Sequence, residues 1–203
     1  MEKGIIKFKI ERCKGRFFIE PPLYEDVNEA RSKLRYYNLI GQYEDLKLGY
    51  GNISKRLNGK EFIITGSQTG HLESLNGSFW SVIVDYDFDN NSVKFKGDIE
   101  PSSETLSHSA FYEFNNSINC VVHIHQKILW LELIRSGCLN TSQDAEYGSP
   151  VLYRELIDII KNDDSKSDPI VIVMRGHEDG VLFAGSSIDL TLDKIIELYN
   201  MYI

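Results

Sequence analysis

Residues 119–125 read Asn119-Cys120-Val121-Val122-His123-Ile124-His125, a short β-branched run that closes on two histidines. Side chains alternate along a strand, so both imidazoles face one side while Val122 and Ile124 face the other. That geometry suits two ligands on one metal. Working outward, Ser102-Ser103-Glu104 offers a cap for a helix that carries Leu106, Ala110, Phe111 and Phe114 on one face, with Glu104 in its first turn. On the other side, Lys127 to Ser136 reads as an apolar helix closed by Gly137.

Further upstream, Gly51 to Gly97 holds four β-prone runs, Ile53 to Leu57, Phe62 to Thr65, Phe79 to Tyr86 and Val93 to Lys96, separated by Gly, Asn and Asp turn signals. Tyr24 to Tyr37 places Val27, Ala30, Leu34 and Tyr37 at helical spacing. Ile5 to Ile19 alternates apolar and charged residues around Lys14-Gly15 and reads as a β-hairpin. Downstream, Ser149-Pro150 caps a helix through Ile160, because Pro suits the first helical position. Pro169 to Met174 and Val181 to Ala184 read as buried strands, and Leu190 to Ile203 as a terminal helix. Strands and helices mix without regular βαβ repetition, which predicts an α/β or α+β fold with a mixed, mainly antiparallel central sheet flanked by helices.

A chain of 203 residues fits one domain, here 1–203 with residues 1–22 as an N-terminal β-hairpin extension. A hydrophobic fraction of 42% and a charged fraction of 26% are those of ordinary globular chains, with no long apolar run and no signal-like start. A cytoplasmic protein with no membrane association is expected. Cys13, Cys120 and Cys138 are odd in number and widely spaced, as buried free thiols are. The net charge of -8 with scattered basic residues argues against nucleic acid and for a small metabolite.

His177 lies in Met174-Arg175-Gly176-His177-Glu178-Asp179-Gly180, where a strand ends in a glycine-flanked turn that can push an imidazole into a cleft. With His123 and His125 it makes three ligands and an open fourth position, the pattern of a catalytic zinc site. A bare His-x-His also occurs as two ordinary half-buried histidines, and a first-turn Glu is more commonly a capping carboxylate. A cupin is disfavoured because the next acid, Glu132, falls on the far side of a helical stretch. Near a metal, Glu104 can act as a base. His108, one turn later, reads as supporting or structural, and His71 has no metal role.

Five segments in order resemble the class II aldolase/adducin family, which includes L-fuculose-1-phosphate aldolases and L-ribulose-5-phosphate 4-epimerases. Gly51-Asn52-Ile53-Ser54 is similar to its Gly-Asn-x-Ser turn, and Ile64-Thr65-Gly66-Ser67 to its phosphate loop. Ser102-Ser103-Glu104 is similar to its Ser-Ser-Glu element, Val122 to His125 to its paired ligands, and Gly176 to Gly180 to its last-ligand loop. The resemblance implies a nine-stranded, mainly antiparallel sheet and a homotetramer with active sites at subunit interfaces. It also implies Zn2+, or another divalent ion such as Mn2+ or Co2+, on His123, His125 and His177. The implied activity is that of a lyase in carbohydrate metabolism, an aldolase that works on a small hydroxy-ketone or sugar phosphate through a metal-stabilised enediolate. An epimerase, a dehydratase or a non-catalytic adducin-like module are the alternatives. Carried over residue by residue, Glu104 is catalytic, Tyr147 is the nearest candidate for the family's proton-donating tyrosine, and Gly51, Asn52, Thr65, Gly66, Ser67, Gln68, Ser102 and Ser103 bind substrate or phosphate. Gln68 stands where the family has a glycine, which predicts hindered approach of a phosphoryl group.

Overall fold

The computed structural model describes residues 6–15, 17–165 and 167–203. Its main sheet has eight strands: β1 (Lys9–Arg12), β4 (Asn52–Asn58), β5 (Glu61–Thr65), β6 (Trp80–Asp87), β7 (Ser92–Gly97), β8 (Cys120–His125), β9 (Ile170–Val173) and β10 (Gly180–Gly185). Their spatial order is β1-β7-β6-β5-β4-β8-β10-β9, and every neighbouring pair is antiparallel except β1 with β7. Two further strands, β2 (Gly41–Tyr43) and β3 (Leu48–Tyr50), pair only with each other. The described residues thus give eight strands and a separate ribbon in place of one nine-stranded sheet.

Alternation along the strands divides the core between two faces. The helices α2 (Thr105–Phe114) and α4 (Pro150–Asn162) bury Leu106, Phe111, Leu152 and Leu156 against Val121, Leu182 and Phe62. On the other face, α1 (Pro21–Tyr36), α3 (Lys127–Arg135) and α5 (Ile188–Tyr202) bury Leu34, Leu129 and Ile195 against Val122, Ile124 and Phe183. Side chains of this kind contribute roughly 1.5–3 kcal/mol each on burial, so both faces contribute to holding the sheet. Helix ends follow the expected chemistry: Ser149 Oγ accepts from Leu152 N at 3.2 Å, with Pro150 opening α4.

Among the described residues, no second N-terminal strand pairs with Lys9–Arg12 to make the expected hairpin. Lys9–Arg12 adds instead to the edge of β7 in parallel, with Lys9 N donating to Asn91 O and Cys13 N to Phe95 O, both at 2.8 Å. The open edge of β7 supplies a ladder that a second local strand would otherwise have to provide. Gly15 turns the chain at φ +117, but residues 17–20 continue without strand pairing to the Pro21 start of α1. Ile5 and Arg16, which belong to the expected hairpin, lie outside the described residues.

Candidate metal centre

β8 is the strand that builds the site. It lies between β4 and β10 with Asn52 opposite His123, Leu182 opposite His123 and Gly180 opposite His125. His123 and His125 share the α2 face of the sheet, their rings 4.8 Å apart, while Val122 and Ile124 pack on the other. His177 comes from the turn between β9 and β10, held by His177 N donating to Met174 O at 3.1 Å and Gly180 N to His177 O at 2.9 Å. Glycine is required in this turn: a Cβ on Gly176 would stand 2.3 Å from Ala145 O, and one on Gly180 would stand 3.0 Å from His123 Nε2.

The three buried imidazoles offer one ligand atom each, all within 4.8 Å of one another. His125 Nε2 and His177 Nε2 are 3.1 Å apart. His123 Nε2 is buried with no hydrogen-bond partner, an arrangement that costs free energy unless something accepts its coordination. Burial pushes the His123 imidazole down to about 3, so it stays neutral, the form that ligates. Convergent imidazole nitrogens, one of them an orphaned buried atom, fit a divalent cation. Asn52 Nδ2 lies 3.4 Å from His123 Nδ1, and Tyr43 Oη lies 3.1 Å from His125 Nδ1.

Glu104 is the residue immediately before α2, and its side chain does not cap the helix. Ser102 serves that end: its carbonyl accepts from Thr105 N and Oγ1, and its Oγ accepts from Glu104 N at 3.3 Å. The Glu104 carboxylate is thereby turned inward, fully buried, with Oε2 accepting from Ser107 Oγ at 2.7 Å and Oε1 without a partner. Burial raises its carboxyl to about 7, against the lowering effects of Ser107 and Lys7. The metal-capable group among the described residues comprises the three histidines and does not include Glu104. His108 stands on the same helix, its Nδ1 2.7 Å from Ser54 Oγ, which also meets Tyr112 Oη at 2.7 Å.

One pocket collects Gly51, Asn52, Gly66, Ser67, Gln68, Ser102, Ser103, Glu104, Tyr147 and the three histidines. Thr65 sits behind this wall, its Oγ1 accepting from Ile53 N at 3.4 Å. The amides of Gly66, Ser67 and Ser102 are spent on backbone carbonyls of Phe79, Glu100 and Thr65, so an anion here meets hydroxyls more than backbone N–H groups. Gln68 adopts φ 60, the left-handed conformation of the glycine it stands for, and its Oε1 accepts from Gly49 N at 2.7 Å. The tie draws the carboxamide toward β3. Tyr147 packs its ring on His177 at 5.1 Å, and Lys7 Nζ lies 4.1 Å over that ring while donating to Tyr147 O.

The residues 34–202 match the model of the class II aldolase and adducin N-terminal domain. The chain belongs to this family. Its fold agrees with solved relatives at low identity. L-fuculose 1-phosphate aldolase aligns at TM-score 0.63 and 16% identity, covering 92% of this chain and 85% of that one. YgbL of Klebsiella pneumoniae, a candidate aldolase, epimerase or decarboxylase, gives 0.63 and 16% over 90% and 87%. L-fuculose-1-phosphate aldolase from Thermus thermophilus gives 0.58 and 17% over 90% and 95%. No curated protein matches the sequence. At these identities the structural likeness establishes the class II aldolase fold, and the family model establishes membership. No described helix is long and apolar enough to cross a membrane.

Sequence reasoning missed the β2–β3 ribbon and the two arginines of α1. Arg31 is fully buried and donates to the carbonyls of Thr69, Leu72 and Glu73, and Arg35 donates to Gly70 O, so α1 grips the loop beside Gln68. The signal available was a basic pair at helical spacing on an otherwise apolar face.

Proposed function

We propose that this chain is a divalent-metal-dependent aldolase, a carbon–carbon lyase acting on a small hydroxy-ketone or sugar phosphate. The observation that carries this reading is the convergence of three buried histidine nitrogens, His123 Nε2 orphaned among them, beside the buried near-neutral carboxyl of Glu104 in one pocket. Family membership and the fuculose aldolase fold support it. Bound by His123, His125 and His177, a divalent cation, zinc by preference, supplies a Lewis acid that stabilises negative charge developing on substrate oxygens.

The chain's own groups do the rest. Ser67, Ser102 and Ser103 place hydroxyls along one wall for the polar end of the substrate. In the condensation direction Glu104 Oε1 removes a proton from the carbon beside the carbonyl, and in cleavage it returns that proton. Burial raises this carboxyl in the metal-free chain, which makes Glu104 a stronger proton acceptor than an exposed carboxylate. Tyr147, on the His177 side of the pocket, gives a proton to the oxygen of the aldehyde fragment as the new bond forms. A cytoplasmic homotetramer with sites at subunit interfaces belongs to the same proposal.

Zinc-loaded protein screened against ketose phosphates and unphosphorylated hydroxy-ketones should release an aldehyde from at least one of them. Glu104→Gln should retain zinc and lose turnover by ~100- to 10,000-fold, the contribution of a positioned proton-transfer group. A Glu104→Gln variant with near wild-type turnover would reduce Glu104 to a structural residue. Interconversion of epimers without cleavage would move the protein to the epimerase branch.

A further inference from the structure

Beside the metal centre stands the two-stranded ribbon, outside the main sheet and unassigned by the reading above. Its register pairs Gly41 with Tyr50 and Tyr43 with Leu48, which puts Tyr43 and Tyr50 on one face, their rings 4.7 Å apart. That face looks at His125: Tyr43 stands edge-on to its ring at 6.3 Å and 79°, and Tyr50 lies 5.6 Å away. The polar contact is between Tyr43 Oη and His125 Nδ1, at 3.1 Å. It is shorter than the 3.4 Å contact that Asn52 makes with Nδ1 of His123.

A hydrogen bond between a phenol and an imidazole can run either way, but only one direction leaves His125 Nε2 able to ligate. Nδ1–H must donate to Tyr43 Oη, so that Nε2 keeps its lone pair toward the point shared with His123 and His177. Ligating histidines are oriented in this way by a partner on the other ring nitrogen. Such a partner works only if it is itself held, and the ribbon is. Gly49 N donates to Gln68 Oε1 at 2.7 Å, and Gln42 Nε2 donates to Lys47 O at 2.9 Å. Gly70 is packed so tightly on the ribbon that a Cβ there would stand 1.8 Å from Gly41 O. Arg35 in turn donates to Gly70 O, tying ribbon and loop to α1.

We propose that Tyr43 is a positioning residue of the metal centre: its phenol oxygen accepts from His125 Nδ1 and fixes the imidazole with Nε2 aimed at the metal, and the β2–β3 ribbon exists at this site to hold that oxygen in place. The inference rests on the three-histidine reading of the site.

The test compares wild type, Tyr43→Phe and Gln42→Ala. Zinc affinity is read by competition with a chromogenic chelator, and the His125 tautomer by long-range 1H–15N correlation on metal-free protein at pH 8. Tyr43→Phe should bind zinc about 10- to 100-fold more weakly, the usual loss when a ligand's supporting partner is removed. Its His125 should shift from Nδ1–H toward a mixture of tautomers. Gln42→Ala removes one exposed side-chain bond and leaves the ribbon's backbone pairing and the Tyr43 oxygen in place, so it should stay within about twofold of wild type in affinity. Unchanged affinity or an unchanged tautomer in Tyr43→Phe overturns the assignment, and so does an equal loss in Gln42→Ala. If wild type takes up no zinc, the metal centre itself is overturned, and the tautomer readout then decides the Tyr43 contact alone.

Discussion

Glu104 is kept near the middle of its titration by burial, and this has a consequence for stability as well as for proton transfer. In the folded metal-free chain its carboxyl ionises at about 7, against an ordinary 4.5 once unfolded. Between those values the folded chain holds a proton that the unfolded chain has lost, so stability falls as pH rises through this window. The full change across this window corresponds to a loss on the order of 3 kcal/mol. Glu104→Gln has no carboxyl to ionise. Denaturant titrations of both metal-free proteins at pH 5 and pH 8 should show the variant gaining on wild type at the higher pH. Parallel pH dependences would contradict the burial account. The sequence placed Glu104 at the start of a helix but could not tell a capping carboxylate from an inward one. That choice is made by Ser102, which satisfies the helix end and releases Glu104 to the pocket.

At the scale of elements, the strands and helices with strong periodicity were legible, among them β8, α3, α4 and α5. Their side-chain alternation is imposed by a core on both faces of the sheet. The ribbon was not legible, because three-residue strands that contain Gly41 and Gly49 carry no alternation to read. The N-terminal strand shows a related limit: alternation announces a strand but does not name its partner, and Lys9–Arg12 pairs with the edge of β7. Gln68 is a third case. The sequence flagged a side chain where a glycine belongs, and the structure accommodates it by a left-handed backbone and a bond to Gly49 N. Contact between ribbon and loop is closest at Gly70, so Gly70→Ala must push the two apart. We expect it to destabilise by about 1–3 kcal/mol and to weaken zinc binding, measured by denaturant titration and chelator competition. A variant as stable and as tight as wild type would show that the ribbon does not depend on this packing.

Across the whole molecule, a central antiparallel sheet with helices on both faces carries β8 in its interior and delivers His177 from the neighbouring turn. The scaffold has its own core, so removal of a metal ligand leaves the fold standing. The histidine triad was legible because two ligands share a strand at a spacing of two, and the third lies in a glycine-flanked turn. The pocket's remaining wall was less so, because the ribbon reaches it, and the arginines of α1 hold its Gln68 loop, only through tertiary packing. The account stands on the three histidines holding one ion. Metal content per chain, measured by inductively coupled plasma mass spectrometry on wild type and His123→Ala after exchange against zinc, tests it most directly. We predict about one ion per wild-type chain and a large loss in His123→Ala, with far-UV circular dichroism unchanged. Equal zinc in the two proteins, or none in wild type, would contradict the metal centre.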